Sequence, residues 1–349
     1  MSGRRRVVHV VAPAGVDDPA EPSGGNTYDR QLSGALEALG WTVHLHRTRA
    51  AGLRDVLAAL EPGSAVVLDG LVASGQPRVV VPQSHVLRLV LLLHLPRGRP
   101  GHPDAAEAAV VAAVSSVVTP SEWCRRLVLA TYPVPPAKVR VAIPGVVPTD
   151  RVTAGADRGT LLVVAAVTRS KGHDVLLHAL RDLVDLPWRV RCVGPLTRDP
   201  SFVSALAEAA RSAGLADRFL LEGPLVGDLL TEAYTSAGVL VLPSRGETYG
   251  MVLTEALAHG LPVVASAVGG TAEALGLAPT GARPGLLVPP NDADALGAAL
   301  RSWLTDAGLR AELRAGALVR RRDLPRWDAT ARQVAATLTP AASDVRTPA

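Results

Sequence analysis

Residues 239–270, VLVLPSRGETYGMVLTEALAHGLPVVASAVGG, decide how this chain is read. The run 239–242 is short and apolar, as a strand buried on both faces is, and 243–250 is rich in turn formers. Helical spacing predicts a helix over 251–259, broken by Gly260-Leu261-Pro262. A second strand, 262–266, then runs into the glycine pair Gly269-Gly270. Strand, loop, helix and strand form a βαβ unit. The first N–H groups of its helix lack intrahelical partners, so the loop before the helix is an anion site in waiting. Glu247 in the loop and Glu255 in the helix bracket that entrance.

The same alternation extends in both directions. In the second half, strands are predicted at 161–167, 189–193, 219–222 and 285–288. Helices are predicted at 174–183, 202–213, 228–236, 292–304 and 306–320, with Asn291 as the candidate cap of 292–304. In the first half, strands at 6–12, 41–46, 65–68, 87–95, 115–119 and 138–142 alternate with helices at 27–39, 53–60, 105–113 and 122–130. Ser121 is the expected N-cap of the last of these, and 70–76 reads as irregular. Periodicity fades over 145–159. This predicts an α/β chain of two parallel-sheet domains: 1–148, 149–322, and a final segment 323–349 whose helix returns to the first domain before a mobile tail.

Bulk properties agree with that division. A chain of 349 residues, 48% hydrophobic and 19% charged, suits two cores better than one. Lys+Arg 36 against Asp+Glu 32 is a near balance, and Arg320–Arg322 carries no interleaved aromatics, so no nucleic-acid partner is expected. Cys124 and Cys192 fit neither a disulfide framework nor a zinc spacing, which suits a cytoplasmic protein. The apolar run after Arg4–Arg6 is too brief for a signal-peptide core, and no apolar run approaches the ~20 residues of a spanning helix.

Ligands of open α/β sheets bind beyond the carboxyl ends of the strands, which singles out the loops 23–27, 94–97, 168–173, 194–197 and 244–250. Neither a Gly-x-Gly-x-x-Gly after the first strand nor a P-loop is present. Glu255 is suited to accept hydrogen bonds from vicinal hydroxyls, and equally to act as a helix N-terminal charge worth ~0.3–1 kcal/mol. His94, at the end of an apolar strand, reads as a core histidine or as a site residue. Lys171, before Gly172, reads as a solvated lysine or a phosphate cation. His44 and His46 alternate on one strand with no third ligand nearby in sequence, and Asp292-x-Asp294 reads as ordinary capping, so no metal site is expected.

Taken together, these motifs resemble the retaining glycosyltransferases of family four. The resemblance rests on Glu247-x7-Glu255 within PSRGETYGMVLTEALAHGLPVVASAVGG, on VTRSKGHDVLLHAL (167–180), on GLLVPPNDADALGAAL (285–300), and more loosely on SGGN (23–26), His94 and VTPSEWCRRLV (118–128). It implies the GT-B fold, two facing Rossmann-like domains with an interdomain cleft, and a nucleoside diphosphate sugar as donor without a cofactor. By the same resemblance Glu255 binds ribose hydroxyls and Glu247 the donor sugar. Met251 and Val252 N–H groups, after Gly250, hold the distal phosphate, with Gly25 approaching from the first domain and Gly194 beside the donor. Lys171 neutralises the leaving diphosphate, and His94 lines the sugar and acceptor side. The family's arginine before the lysine is missing, since Ala165 and Ala166 occupy those positions, and Arg169 or Arg245 is expected in its place. Some members dock on membranes, which leaves a peripheral membrane contact open. Two rivals are a nucleotide-sugar epimerase of the same fold and a non-catalytic nucleotide- or nucleic-acid-binding protein.

Overall fold

The computed structural model describes residues 6–153, 157–278, 281 and 283–339; Arg4, Arg5 and the expected tail 343–349 lie outside them. The chain forms two compact units. Unit 1 takes the chain up to Asp17, Gly25–Gly145 and the segment from Pro325 onward, and unit 2 takes Asp18–Gly24 and Val146–Leu324.

Unit 1 is built on six strands: β1 (Arg6–Pro13), β2 (Trp41–Thr48), β3 (Ala65–Asp69), β4 (Arg88–Leu92), β5 (Ser116–Thr119) and β6 (Val139–Val141). Their order is β2-β1-β3-β4-β5-β6, and every neighbouring pair is parallel. Unit 2 repeats the plan with β7 (Thr160–Val164), β8 (Arg189–Val193), β9 (Phe219–Gly223), β10 (Val239–Leu242), β11 (Val263–Ser266) and β12 (Gly285–Val288). Here the order is β12-β11-β10-β7-β8-β9, again parallel throughout. The expected parallel α/β architecture is what forms. The reason is visible in β10 and β11, where every residue is buried: helices cover both faces, so continuous apolar runs are the stable choice.

Each sheet reverses its strand order once, between β1 and β3 in unit 1 and between β7 and β10 in unit 2. At such a reversal the loops leaving two adjacent strands turn to opposite faces and open a crevice between them. The unit 2 core packs Leu161, Val163, Val190, Val239 and Trp303 beneath this point, and Val11, Leu68, Leu91 and Val117 do the same in unit 1. The helix Trp327–Leu338 belongs to unit 1. Trp327 meets Tyr28 edge-on at 5.3 Å, Thr330 Oγ1 donates to the Ile143 carbonyl at 2.6 Å, and Arg88 Nε donates to the Thr337 carbonyl at 3.0 Å.

Several local expectations change. The first helix spans Gly24–Ala38, so Gly24, Gly25 and Asn26, read as a turn, are helical. Residues read as irregular include a short helix, Gly70–Ala73, started by the Asp69 side chain accepting from Leu71 N. A further helix, Pro77–Gln83, contains Pro82 and was not anticipated; burial of Val79 and Val80 outweighs the proline penalty over so short a span. Asn291 is not the cap of the helix Ala293–Thr305. Asp292 holds that place by accepting from Ala295 N at 2.8 Å, while Asn291 sits in the left-handed region at φ 58°. Ser121 caps Glu122–Thr131 as expected, accepting from Cys124 N.

Next to Gly172, the helix His173–Arg181 begins with a histidine that is 0% exposed and has no hydrogen-bond partner on either ring nitrogen. Burial, reinforced by Lys171 and opposed by Asp174, lowers its pKa to about 4. A group whose protonation is disfavoured in the fold makes folding costlier once the unfolded chain can protonate, from pH ~6.5 downward. Stability should therefore fall between pH 6.5 and 4 by a His173 share on the order of 3 kcal/mol. In urea unfolding at pH 7 and pH 4.5, His173→Leu should show a smaller difference between the two pH values than the parent, and an equal difference would refute the assignment.

Candidate functional site

The reversal in unit 2 places the loops after β7 and β10 side by side. They touch at Gly172, whose φ is 69° and whose absent Cβ would lie 2.0 Å from the Pro243 carbonyl oxygen. Only glycine tolerates both the left-handed backbone and that distance. The contact brings Lys171, in the turn Arg169–Lys171, against the 244–250 loop. Its Nζ lies 2.5 Å from Glu247 Oε1, and Ser244 Oγ donates to the same oxygen at 2.8 Å. The backbone of Glu247 is fixed from the other side. Gly270 N donates to its carbonyl at 3.0 Å, and Gly269, at φ 55°, approaches so closely that a Cβ would overlap that oxygen at 1.7 Å. Lys171 keeps 29% of its side-chain surface and Glu247 12%, so the ion pair is accessible to a ligand.

Gly250, at φ 92°, is the residue before the helix Met251–Ala258. Leu253 N bonds the Gly250 carbonyl at 2.9 Å, whereas the N–H groups of Met251 and Val252 at the first two helical positions have no acceptor within the helix. Glu255 follows one turn later. Tyr234 Oη donates to Glu255 Oε2 at 2.7 Å and stacks on His259 with ring centroids 5.2 Å apart. Burial raises the Glu255 pKa while the tyrosine works against it, and burial beside this carboxylate drives the Tyr234 phenol well above its usual range. Tyr234 therefore stays a donor and orients Glu255. Nothing in the local sequence marks it, because it lies 21 residues upstream.

The two replacement arginines differ. Arg245 is committed to protein partners: Nη1 and Nη2 hold Asp174 at 2.9 and 2.8 Å, and Nε donates to Asn291 Oδ1 at 2.6 Å. Burial raises the Asp174 pKa, but Arg245 outweighs it and holds the carboxyl low. Arg169 lies over the Phe202 ring at 5.4 Å and joins no ion pair among the described residues. Gly194, at the end of β8, donates its N–H to the Gly223 carbonyl at 2.8 Å.

In unit 1 the reversal gathers a second cluster. His94, two residues beyond β4, lies with Nε2 3.2 Å from Asp29 Oδ1 and 3.5 Å from Asp69 Oδ2. Tyr28 packs edge-on against the imidazole at 4.9 Å, and a Cβ on Gly25 would stand 3.4 Å from it. Asp29 and Asp69 are 1% and 2% exposed, and each leaves Oδ2 without a hydrogen bond. The loop that carries His94 is tied down by buried Glu107, whose Oε2 accepts from Arg97 N at 2.7 Å and Gly98 N at 3.4 Å. Burial, then the neighbouring Asp29 charge, pushes the Asp69 pKa up. At His94 burial disfavours the imidazolium, but the hydrogen bond and charge of Asp29 and the charge of Asp69 prevail and the pKa rises. Neither carboxylate was singled out from the sequence, since Asp29, Asp69 and His94 become neighbours only through the strand order. Their ligand atoms lie within 4.8 Å of one another, close enough to enclose a cation; a shared proton answers the same charge.

Comparison with known proteins bears on the family and the fold. A family model described as "Glycosyl transferases group 1" matches residues 158–306. The D-inositol 3-phosphate glycosyltransferase 1 of Catenulispora acidiphila is 34% identical over 296 residues, covering 77% of this chain and 68% of its own length. Among solved structures, the sucrose-phosphate synthase of Thermosynechococcus elongatus aligns with TM-score 0.77 and 23% identity, covering 95% of this chain and 98% of that one. An Anabaena protein crystallised with UDP-glucose aligns with TM-score 0.76 and 16% identity, covering 95% and 99%.

If Asp69 helps to keep His94 protonated, Asp69→Asn should lower the pKa read from the His94 ring protons in an NMR titration. An unchanged midpoint would show that Asp69 has no hold on the imidazole.

Proposed function

The chain belongs to the group 1 glycosyl transferases, and we propose that it is a retaining enzyme moving a sugar from a nucleoside diphosphate sugar to an acceptor hydroxyl. Its fold is the GT-B architecture of two parallel six-stranded α/β units. The observation that carries the proposal is the placement of Lys171, Glu247 and Glu255 around one helix N-terminus at the unit 2 strand reversal.

In this reading the distal phosphate rests on the N–H groups of Met251 and Val252, where the helix dipole favours negative charge. Lys171 shifts from Glu247 toward the diphosphate and neutralises it as the anomeric C–O bond breaks. Glu247, released, accepts from hydroxyls of the sugar. Glu255, oriented by Tyr234, accepts from the ribose hydroxyls. Arg169 supplies the second phosphate cation more readily than Arg245, which Asp174 already neutralises. His94, held by Asp29 and Asp69, serves the sugar and acceptor side.

Cleavage builds positive character on the sugar and negative charge on the departing phosphate, and fixed N–H groups with a resident cation stabilise that charge without reorganising. This is why we assign no metal to the reaction. Retention follows from attack on the face the diphosphate leaves, with the leaving phosphate oxygen taking the acceptor proton. No carboxylate is assigned as a nucleophile. Crystallisation of the Anabaena protein with UDP-glucose supports a nucleotide sugar as donor, and the name of the Catenulispora relative supports a phosphorylated polyol as the first acceptor to test. No helix among the described residues is long and apolar enough to cross a membrane.

A panel of nucleoside diphosphate sugars should contain one that raises the unfolding temperature by mass action. With that donor, Glu255→Ala and Lys171→Ala should each lower transfer by about a hundredfold or more, as loss of a charge-stabilising group does, while remaining folded. Full activity in both variants would remove the site assignment.

A further inference from the structure

Three of the chain's nine histidines converge on β1 and β2, and the site described above uses none of them. β2 is the outer strand of the unit 1 sheet and pairs only with β1 among the described strands. In their parallel register His9 stands opposite His44. Residues two apart on a strand share a face, so His46 falls on the same face as His44, one step further along. The His9 ring lies between the other two, stacked on His44 at a centroid distance of 5.1 Å and tilted to His46 at 5.2 Å. His9 Nδ1 and His46 Nε2 are 3.0 Å apart. His9 and His46 are partly buried and His44 is exposed.

We propose that His9, His44 and His46 form a binding site for a divalent cation of the late first transition row, zinc or nickel, on the edge of the unit 1 sheet. Imidazole nitrogens reach zinc at about 2.0–2.1 Å, so two of them on a tetrahedral ion stand roughly 3.3 Å apart. His9 Nδ1 and His46 Nε2 already hold nearly that separation. The ion takes the place of the single proton shared between those nitrogens; for the neutral pair that proton passes through solvent to the other nitrogen of the donor ring, so both imidazoles stay neutral and no net proton is released. His44, exposed and stacked on His9 in this structure, supplies a third nitrogen by turning out of that stack, and water completes the shell.

An all-nitrogen donor set favours zinc, nickel and copper over magnesium or calcium. Occupancy would tie the outer strand β2 to β1 through side chains as well as through the ladder. Asp29, Asp69 and His94 form a separate cluster of different chemistry, with two buried carboxylates, and serve here as the internal control.

The test uses the full chain without a histidine tag, stripped with a chelator and titrated with Zn²⁺ by calorimetry, with unfolding temperature as the second readout. The expected result is a single site that raises the unfolding temperature, is lost in His9→Gln and His46→Gln, and is weakened in His44→Gln. The His44 and His46 variants lie on an outer strand, and equal unfolding temperatures without metal establish that they fold. No Zn²⁺ binding by the parent chain overturns the proposal. Binding that survives all three variants, or disappears in His94→Gln while persisting in His46→Gln, also overturns it.

Discussion

The approach of Gly172 to the Pro243 carbonyl is the constraint from which the unit 2 site follows. Two loops leave adjacent parallel strands, β7 and β10, and turn to opposite sides of the sheet. Left alone they would carry Lys171 and Glu247 apart. A backbone contact that admits no side chain locks them together, and the lysine and glutamate then meet at 2.5 Å. A second contact of the same kind, Gly269 on the Glu247 carbonyl, fixes the loop from the far side. The glycines of this motif thus set side-chain distances by allowing backbones to touch, and the charged residues depend on them.

Charge in both units is managed by oriented donors. Glu255 is held by the Tyr234 hydroxyl, Glu247 by Lys171 and Ser244, and His94 by two aspartates. Each arrangement fixes the geometry of a group before any ligand arrives, so binding pays less for ordering side chains. In the proposed reading the pair of Lys171 and Glu247 is also a stored exchange: an incoming anion competes for the lysine while sugar hydroxyls replace it at the glutamate, and both partners remain satisfied. Arg245 shows the contrasting case, a cation already bound by two oxygens of Asp174 and by Asn291, which is built to brace a loop.

The sheets were legible because buried parallel strands are continuous apolar runs whose ends are marked by glycine and proline; Arg189–Val193, Val239–Leu242 and Gly285–Val288 have the predicted bounds. Helix starts were harder to read. Gly24 and Gly25 carry a turn signal yet begin a helix, and Asn291 resembles a cap but yields to Asp292. The least legible features depend on strand order. Asp29, Asp69 and His94 are each unremarkable in sequence and meet only because β1, β3 and β4 are neighbours. His9 is likewise invisible beside the His44-x-His46 pair, since its proximity comes from the register of β1 on β2. Tyr234 belongs to the same class: its partner Glu255 lies across a strand and a loop. Local pattern reports elements, whereas sites report topology.

The central claim is that the helix N-terminus after Gly250 holds a diphosphate, with Lys171 and Glu255 at either end of the nucleotide. A crystal structure of the chain grown with the nucleoside diphosphate that stabilises it tests this most directly. The account predicts the distal phosphate against the Met251 and Val252 N–H groups, Lys171 Nζ moved from Glu247 to a phosphate oxygen, and both ribose hydroxyls on Glu255. A nucleotide bound elsewhere, or one bound there with Lys171 still paired to Glu247 and Glu255 touching only Tyr234, would contradict it.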